Sequence, residues 1–248
     1  MKQQFGLIGF PLGHSFSRAY FTEKFAKEGI NAEYNNFELT DMAQLRELLS
    51  TNPELRGFNV TIPYKQSVIT YLDELSREAA TIGAVNVVRV EPDGRLKGYN
   101  SDVYGFTESI RPLLTSGLHT KALVLGTGGA SRAVIHGLKS LGMEVTQVSR
   151  RKGAGDMTYD ELTPDVIADH TVIVNATPLG MHPDVDSSPA LPYEAVTERH
   201  VCYDLVYNPL NTRFMQQCAE RGAWVANGLE MLHRQAERAW EIWNGADD

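Results

Sequence analysis

Apolar residues in the first hundred positions come in short runs, and the stretches between them repeat at helical spacing. The runs "QFGLIG" (4–9), "AEYNNFEL" (32–39) and "GFNVTI" (57–62) predict strands, with helices over 16–29 and 42–50 between them. Helices are expected around 65–72 and 76–82, and "AVNVVRV" and "GRLKGYN" flank the turn "EPDG" as a hairpin. A second alternating series begins at "KALVLG" (121–126). It runs through a helix over 133–141, then "EVTQVS", "TVIVNAT", "HVCYDLV" and "AWVAN". Parallel strands need crossover connections, so short apolar runs separated by helices predict a parallel, doubly wound sheet. Residues 102–120 read as the connector, and 152–165 as a loop with a short helix.

The last helix, 229–243 with Asn227 as its N-cap, gathers Leu229, Leu232, Ala236, Ala239, Trp240 and Trp243 on one side at about 100° per residue. Met231 and Gln235 fall on its shoulder. The expected fold is α/β with two lobes: an N-terminal α/β substrate domain over 1–102 and a Rossmann-like domain over 103–227. The C-terminal helix, in 228–248, returns to pack on the first lobe. Lobes joined twice place a ligand in the cleft between them, and closure over bound ligands is expected.

Alternation along "GFNVTIPYK" puts Phe58, Val60 and Ile62 on a core face and Asn59 and Thr61 on the opposite face, toward that cleft. Pro63 ends the ladder, and Lys65 follows it. Composition narrows the chemistry. At 248 residues, with 42% hydrophobic and 22% charged, the chain is an ordinary soluble protein. A formal net charge of -8 argues against nucleic-acid binding, so any phosphate site is local. No run approaches the roughly 20 apolar residues of a membrane span, and the N-terminus does not read as a signal peptide. A cytoplasmic protein is expected, with Cys202 and Cys218 as reduced, structural thiols. No His, Cys or carboxylate cluster has metal-ligand spacing.

In "VLGTGGASRAV", Gly126, Gly128 and Ser131 stand at GxGxxG spacing between a strand and a helix, with a serine for the third glycine. Such a loop lets backbone approach a pyrophosphate at a helix N-terminus. An NAD site expects an acid about 20 residues on. Here "VSRRK" supplies Ser149, Arg150, Arg151 and Lys152, which suit the 2′-phosphate of NADP. In the first lobe, Ser15 and Ser17 bracket a helix start, as an N-cap with a spare serine or as a carboxylate site, while His14 is assigned no chemistry. Asn86 interrupts "GAVNVV", and Asn100, Ser101 and Asp102 cluster where the lobes meet. Together these outline a site for a polyhydroxylated acid.

Taken in order, "GHSFS", "NVTIPYK", "GAVNV", "GYNSD", "GTGGASRA", "NATPLGM", "YDLVYNP" and "NGLEMLHRQA" make the chain resemble the shikimate dehydrogenase family over essentially its full length. The resemblance implies NADP-dependent, reversible reduction of 3-dehydroshikimate to shikimate in the pathway to aromatic amino acids. It implies Lys65 and Asp102 as the catalytic pair. Ser15 and Ser17 would hold the substrate carboxylate; Thr61, Asn86, Asp102 and Gln235 its ring hydroxyls; Tyr207 is a further substrate-side residue. Cofactor positions would be Gly126, Thr127, Gly128, Gly129, Ala130, Arg132, Ser149, Arg150, Arg151, Thr177, Leu205 and Gly228, with Arg132 and Arg150 flanking the adenosine phosphate. The partners implied are small molecules alone, with no metal, and the chain is a monomer or homodimer.

The chain departs from the family pattern at Arg18, Val87, Ser101, Ser149 and Arg151; Arg151 strengthens the basic turn. Reducing a ketone leaves an alkoxide that must gain a proton, which a lysine can donate. Desolvation would help Lys65 act as a base in reverse, whereas Asp102 favours the ammonium, so the proton is assigned to Lys65 alone or to the pair. Rival readings are a shikimate/quinate dehydrogenase that also accepts NAD, and a non-catalytic NADP-responsive protein.

Overall fold

A computed structural model describes residues 2–13 and 16–247 of the chain. The chain divides into two compact units, Met1–Ser101 with Ala236–Asp248, and Asp102–Gln235. The first contains β1 (Gln3–Gly9), α1 (Phe16–Glu28), β2 (Ala32–Glu38), α2 (Leu45–Thr51) and β3 (Leu55–Val60). It continues with β4 (Glu74–Leu75), α3 (Arg77–Ile82), β5 (Val87–Val90) and β6 (Leu96–Tyr99). The strands form one sheet in the order β2-β1-β3-β5-β6-β4. β1 pairs in parallel with β2 and β3, whereas β3-β5 and β5-β6 are antiparallel, the latter being the hairpin predicted at "EPDG".

Both faces of this sheet are covered. Ile8, Phe58, Val60 and Val88 enter one core, while Phe5, Leu7, Tyr34, Val87 and Tyr99 enter the other. The second core receives the chain's C-terminal helix, α8 (Leu229–Trp243), through Ala236, Ala239, Ile242 and Trp243. Trp243 donates from Nε1 to the Val88 carbonyl at 3.1 Å, and its indole lies where a Cβ on Gly57 would sit, 2.3 Å away. Glycine in the middle of β3 is thus the complement of an indole. The buried stripe of α8 is Met231, Gln235, Ala236, Ala239, Ile242 and Trp243; Leu229, Leu232 and Trp240 are only partly covered. It is rotated from the expected one.

The second unit holds most of α4 (Ser101–Ile110), then β7 (Lys121–Leu125), α5 (Gly129–Ser140), β8 (Glu144–Ser149), β9 (Met157–Thr158) and α6 (Pro164–Asp169). β10 (Val172–Asn175), β11 (Val201–Asp204), α7 (Arg213–Ala219) and β12 (Trp224–Ala226) follow, together with the first residues of α8. The sheet is parallel throughout, ordered β12-β11-β10-β7-β8-β9. Val124, Val172, Val174 and Tyr203 face one core, and Leu123, Leu125, Ile173 and Cys202 the other. Continuous apolar runs are what a sheet buried on both faces requires.

Three local expectations are corrected. Residues 102–120 are not a bare connector: α4 buries Phe106 and Ile110 in the second unit's core. The segment 152–165 adds β9, an edge strand beside the end of β8. Ile62 is not a core residue, being 75% exposed, because β3 ends at Val60 and a turn closed by Tyr64 N–H to the Thr61 carbonyl reverses the chain there. Alternation holds only while the strand lasts.

Candidate active site

In the first unit, the predicted substrate residues described by the structure gather at the end of β3. Thr61 N–H donates to the Ile8 carbonyl at 2.9 Å, and Val60 N–H to the Asn86 carbonyl at 2.8 Å, so Thr61 and Asn86 lie on adjacent chain segments. Lys65 is half-buried beyond the turn, and its carbonyl accepts from Val85 N–H at 2.7 Å, which ties it to the segment carrying Asn86. The Asn86 side chain is anchored in both directions: Nδ2 donates to Ser101 Oγ at 3.0 Å, and Oδ1 accepts from Ser101 N–H at 2.7 Å. Asn100 Nδ2 donates to the Ala84 carbonyl at 2.9 Å.

Asn59 is not open to solvent. It is buried, accepts from the Tyr34 hydroxyl at 2.8 Å and donates to the Asn86 carbonyl at 3.2 Å. Burial pushes the Tyr34 phenol well above its usual range, partly countered by a hydrogen bond with Ser17. Ser17 therefore sits at one end of a buried chain through Tyr34 and Asn59 to Asn86. Ser15 and His14 lie outside the described residues.

Asp102, Tyr207 and Gln235 belong to the second unit. Asp102 is buried in the first turn of α4. One turn on, a Cβ at Gly105 would lie 2.9 Å from Gln235 Cβ, so α4 and α8 meet closely at the level of these two polar side chains. Tyr207 is exposed in the loop after β11.

The nucleotide loop follows β7. The strand order reverses between β7, which continues to β8, and β10 on its other side. Crevices that hold ligands in open parallel sheets lie at such a point, outside the carboxyl ends of the strands. Here a cavity of about 660 Å³ is lined by Gly126, Thr127 and Gly128 after β7, Ser149 to Arg151 after β8, and Ala176 to Leu179 after β10. Gly126 has φ +111°, a conformation that only glycine adopts readily, and its missing Cβ would lie 3.0 Å from Thr177 Cγ2. Ser131, buried in α5, donates from Oγ to the Gly128 carbonyl at 2.6 Å and accepts from Gln147 at 3.2 Å; Gln147 also donates to the Gly126 carbonyl at 3.0 Å. The serine that stands for the third glycine thus fastens the loop.

Gly128 and Gly129 differ from these. A Cβ on either meets nothing within 4 Å, and Gly128 has an ordinary backbone at φ -75°. No described residue crowds a side chain at these positions. Across the cavity, the buried Tyr159 hydroxyl has no hydrogen-bond partner among the described residues, and the charge of Arg150 acts on its phenol. Open space over a helix N-terminus, an orphan phenol and two arginines fit a phosphorylated dinucleotide. The Ser149 hydroxyl shapes the basic turn by accepting from Arg151 N–H at 3.1 Å. Gly129, Ala130 and Arg132 continue into α5, with Arg132 exposed. Leu205 and Gly228 touch each other: a Cβ on Gly228 would lie 2.1 Å from the Leu205 carbonyl oxygen, so this glycine answers to backbone.

Residues 7–88 match the family model described as shikimate dehydrogenase substrate binding domain. The chain is 38% identical to a shikimate dehydrogenase (NADP(+)) of Carboxydothermus hydrogenoformans, over 97% of this chain and 91% of that one. The chain belongs to the shikimate dehydrogenase family. Among solved members, the Thermus thermophilus shikimate 5-dehydrogenase in complex with NADP(H) and shikimate matches 99% of this chain and 94% of that one, with TM-score 0.87 and 33% identity. A quinate dehydrogenase of Corynebacterium glutamicum in complex with NAD also shares the fold, with TM-score 0.88 and 27% identity over 99% of this chain and 95% of that one. Fold alone therefore does not separate the two substrates within this family.

Three residues beside the crevice are given no role from the sequence, although Asn175 opens the motif "NATPLGM" and Asp204 lies in "YDLVYNP". Tyr159 is brought to the basic turn by the two-residue strand β9, which is too short to announce itself. Asn175 and Asp204 had a signal: each is a polar residue ending a buried parallel strand. No helix is long and apolar enough to cross a membrane among the described residues.

Proposed function

We propose that the chain catalyses the NADP-dependent, reversible reduction of 3-dehydroshikimate to shikimate, as a cytoplasmic enzyme of aromatic biosynthesis. The observation that carries this reading is Gly128, whose open space faces a crevice also lined by Ser149, Arg150 and Arg151. A second support is the full-length similarity to NADP-dependent relatives. The first unit serves as substrate domain and the second as cofactor domain. NADPH, when bound, supplies the hydride for the ketone carbon. Lys65 gives a proton to the oxygen that becomes the new hydroxyl, and takes one back in the reverse direction. Asp102 fixes that ammonium and a ring hydroxyl.

Asn86, anchored on Ser101, and Thr61 beside it bind ring hydroxyls, with Gln235 from α8. Ser17, with Ser15, takes the carboxylate, and Tyr207 adds a substrate contact. Arg150 and Arg151, with Ser149 and Arg132, take the 2′-phosphate, and Gly126 to Ala130, Thr177, Leu205 and Gly228 hold the rest of the dinucleotide. A guanidinium favours phosphate through charge-assisted bonds of about 1.5–3 kcal/mol each, so NADP is preferred to NAD. The test follows cofactor reduction with shikimate and with quinate, each with NADP and NAD. Shikimate with NADP is expected to give the highest kcat/KM. Equal efficiency with NAD would remove the role of the basic turn, and cofactor binding with no reduction of any pair would favour a sensor.

A further inference from the structure

Asp204, the last residue of β11, is fully buried, and no role in the chemistry above uses it. Its Oδ1 accepts from Asn175 Nδ2 at 3.0 Å and from Val206 N–H at 3.0 Å; its Oδ2 accepts from the Thr212 hydroxyl at 2.6 Å. No lysine or arginine pairs with it among the described residues. Burial pushes its pKa up to about 6, so an unpaired carboxylate is kept in the interior at neutral pH. Such a group is costly unless its hydrogen bonds compensate, and here both oxygens are used.

What it touches leads to the crevice. An amide can sit in either of two orientations, and its neighbours decide which. Asn175 Nδ2 is drawn to Asp204 and to the Leu179 carbonyl at 3.3 Å, which leaves Oδ1 facing Thr177. That oxygen accepts from Thr177 N–H at 3.0 Å and from the Thr177 hydroxyl at 2.6 Å, and Thr177 Oγ1 in turn accepts from Leu179 N–H at 3.3 Å. The wall of the nucleotide crevice from Ala176 to Leu179 is thus folded around one amide oxygen. On its other side, Asp204 holds the first turn of the loop leading to Tyr207 through Val206, and the N-cap of α7 through Thr212.

We propose that Asp204 is a positioning residue for the cofactor: by fixing the orientation of the Asn175 amide it holds the Thr177 wall in the shape that takes the dinucleotide. The inference rests on the NADP site described above. A carboxylate does this better than an apolar residue because it accepts from three donors and offers none. An asparagine at 204 could keep the arrangement, with its oxygen toward Asn175 and Val206 and its amide toward the Thr212 oxygen.

The test measures NADPH and shikimate dissociation constants separately, by calorimetry, for the native chain and for Asp204→Ala, Asp204→Asn and Asn175→Ala. Native binding of NADPH establishes the site itself; its absence would overturn both the site and this inference. Asp204→Ala should weaken NADPH at least tenfold and shikimate several-fold less, the latter through the loop to Tyr207, while Asp204→Asn restores NADPH to within threefold of native. Asn175→Ala, which removes the relay and leaves Asp204 with its other two donors, should reproduce the selective loss even if Asp204→Ala does not fold. NADPH binding within twofold of native in a folded Asp204→Ala or Asn175→Ala chain would overturn the proposal. So would an equal loss for both ligands, which marks a general structural role.

Discussion

The ends of β3 and β7 hold the candidate residues of the two units, and they are built on different grounds. At β3, polar and small residues answer to their own neighbours: Asn59 to Tyr34 and Asn86, Asn86 to Ser101, Gly57 to the Trp243 indole. At β7, Gly126 answers to Thr177, but Gly128 and Gly129 answer to nothing in the protein, and the Tyr159 hydroxyl is left without a partner. A site whose residues are satisfied internally is a scaffold that positions a few working groups. A site with open glycines and an unpartnered donor leaves room and polar groups for a ligand.

Substitutions sharpen that contrast. Lys65→Ala should have the largest effect. Loss of a general acid/base lowers kcat by about 10²–10⁴-fold, and NADPH affinity, a property of the other unit, should stay native; turnover near normal would remove Lys65 from the mechanism. Gly128→Val comes next. Its side chain would occupy space that the ligand needs, so NADPH should bind about 10–100-fold more weakly, equivalent to about 1–3 kcal/mol of overpacking. Its melting temperature should fall only slightly, through the poorer N-cap of α5, whereas Gly228→Ala, forced against the Leu205 carbonyl, should lower melting outright. If both variants lost the same property, the division between ligand-facing and backbone-facing glycines would fail.

The smallest effect is electrostatic. The carboxyl of Asp204 has a pKa of about 6 in the folded chain, above its value of about 3.9 when unfolded. Its contribution to stability is therefore fully present below about pH 4 and is lost as pH rises through 6. Relative to Asp204→Asn, the native chain should lose on the order of 1–3 kcal/mol between those limits. Denaturant titrations of both chains at several pH values check this, and parallel profiles would contradict it.

Much of the fold was legible because its signals are local. The parallel sheet of the second unit follows from apolar runs such as "ALVL" and "VIV", and the hairpin from "EPDG". The rotated stripe of α8 and the exposure of Ile62 were not legible, since both depend on what lies opposite: the aromatic pocket of Phe5, Phe21 and Phe25 in one case, the early end of β3 in the other. Asn59 shows the same limit. Alternation finds its polar face, and only the position of Tyr34 reveals that the face is internal. In the site, glycine spacing and the basic turn were readable. Tyr159 and the Asn175–Asp204 relay come together only through strand pairing across the sheet.

The central claim is that the crevice between the ends of β7, β8 and β10 is built around NADP. A crystal structure of the native chain grown with NADP tests it most directly. The pyrophosphate should lie against Gly126 to Gly129 with the 2′-phosphate between Arg150, Arg151 and Ser149, and the Tyr159 hydroxyl should have gained a partner. A dinucleotide bound elsewhere, or one whose 2′-phosphate points away from the arginines into solvent, would contradict the account.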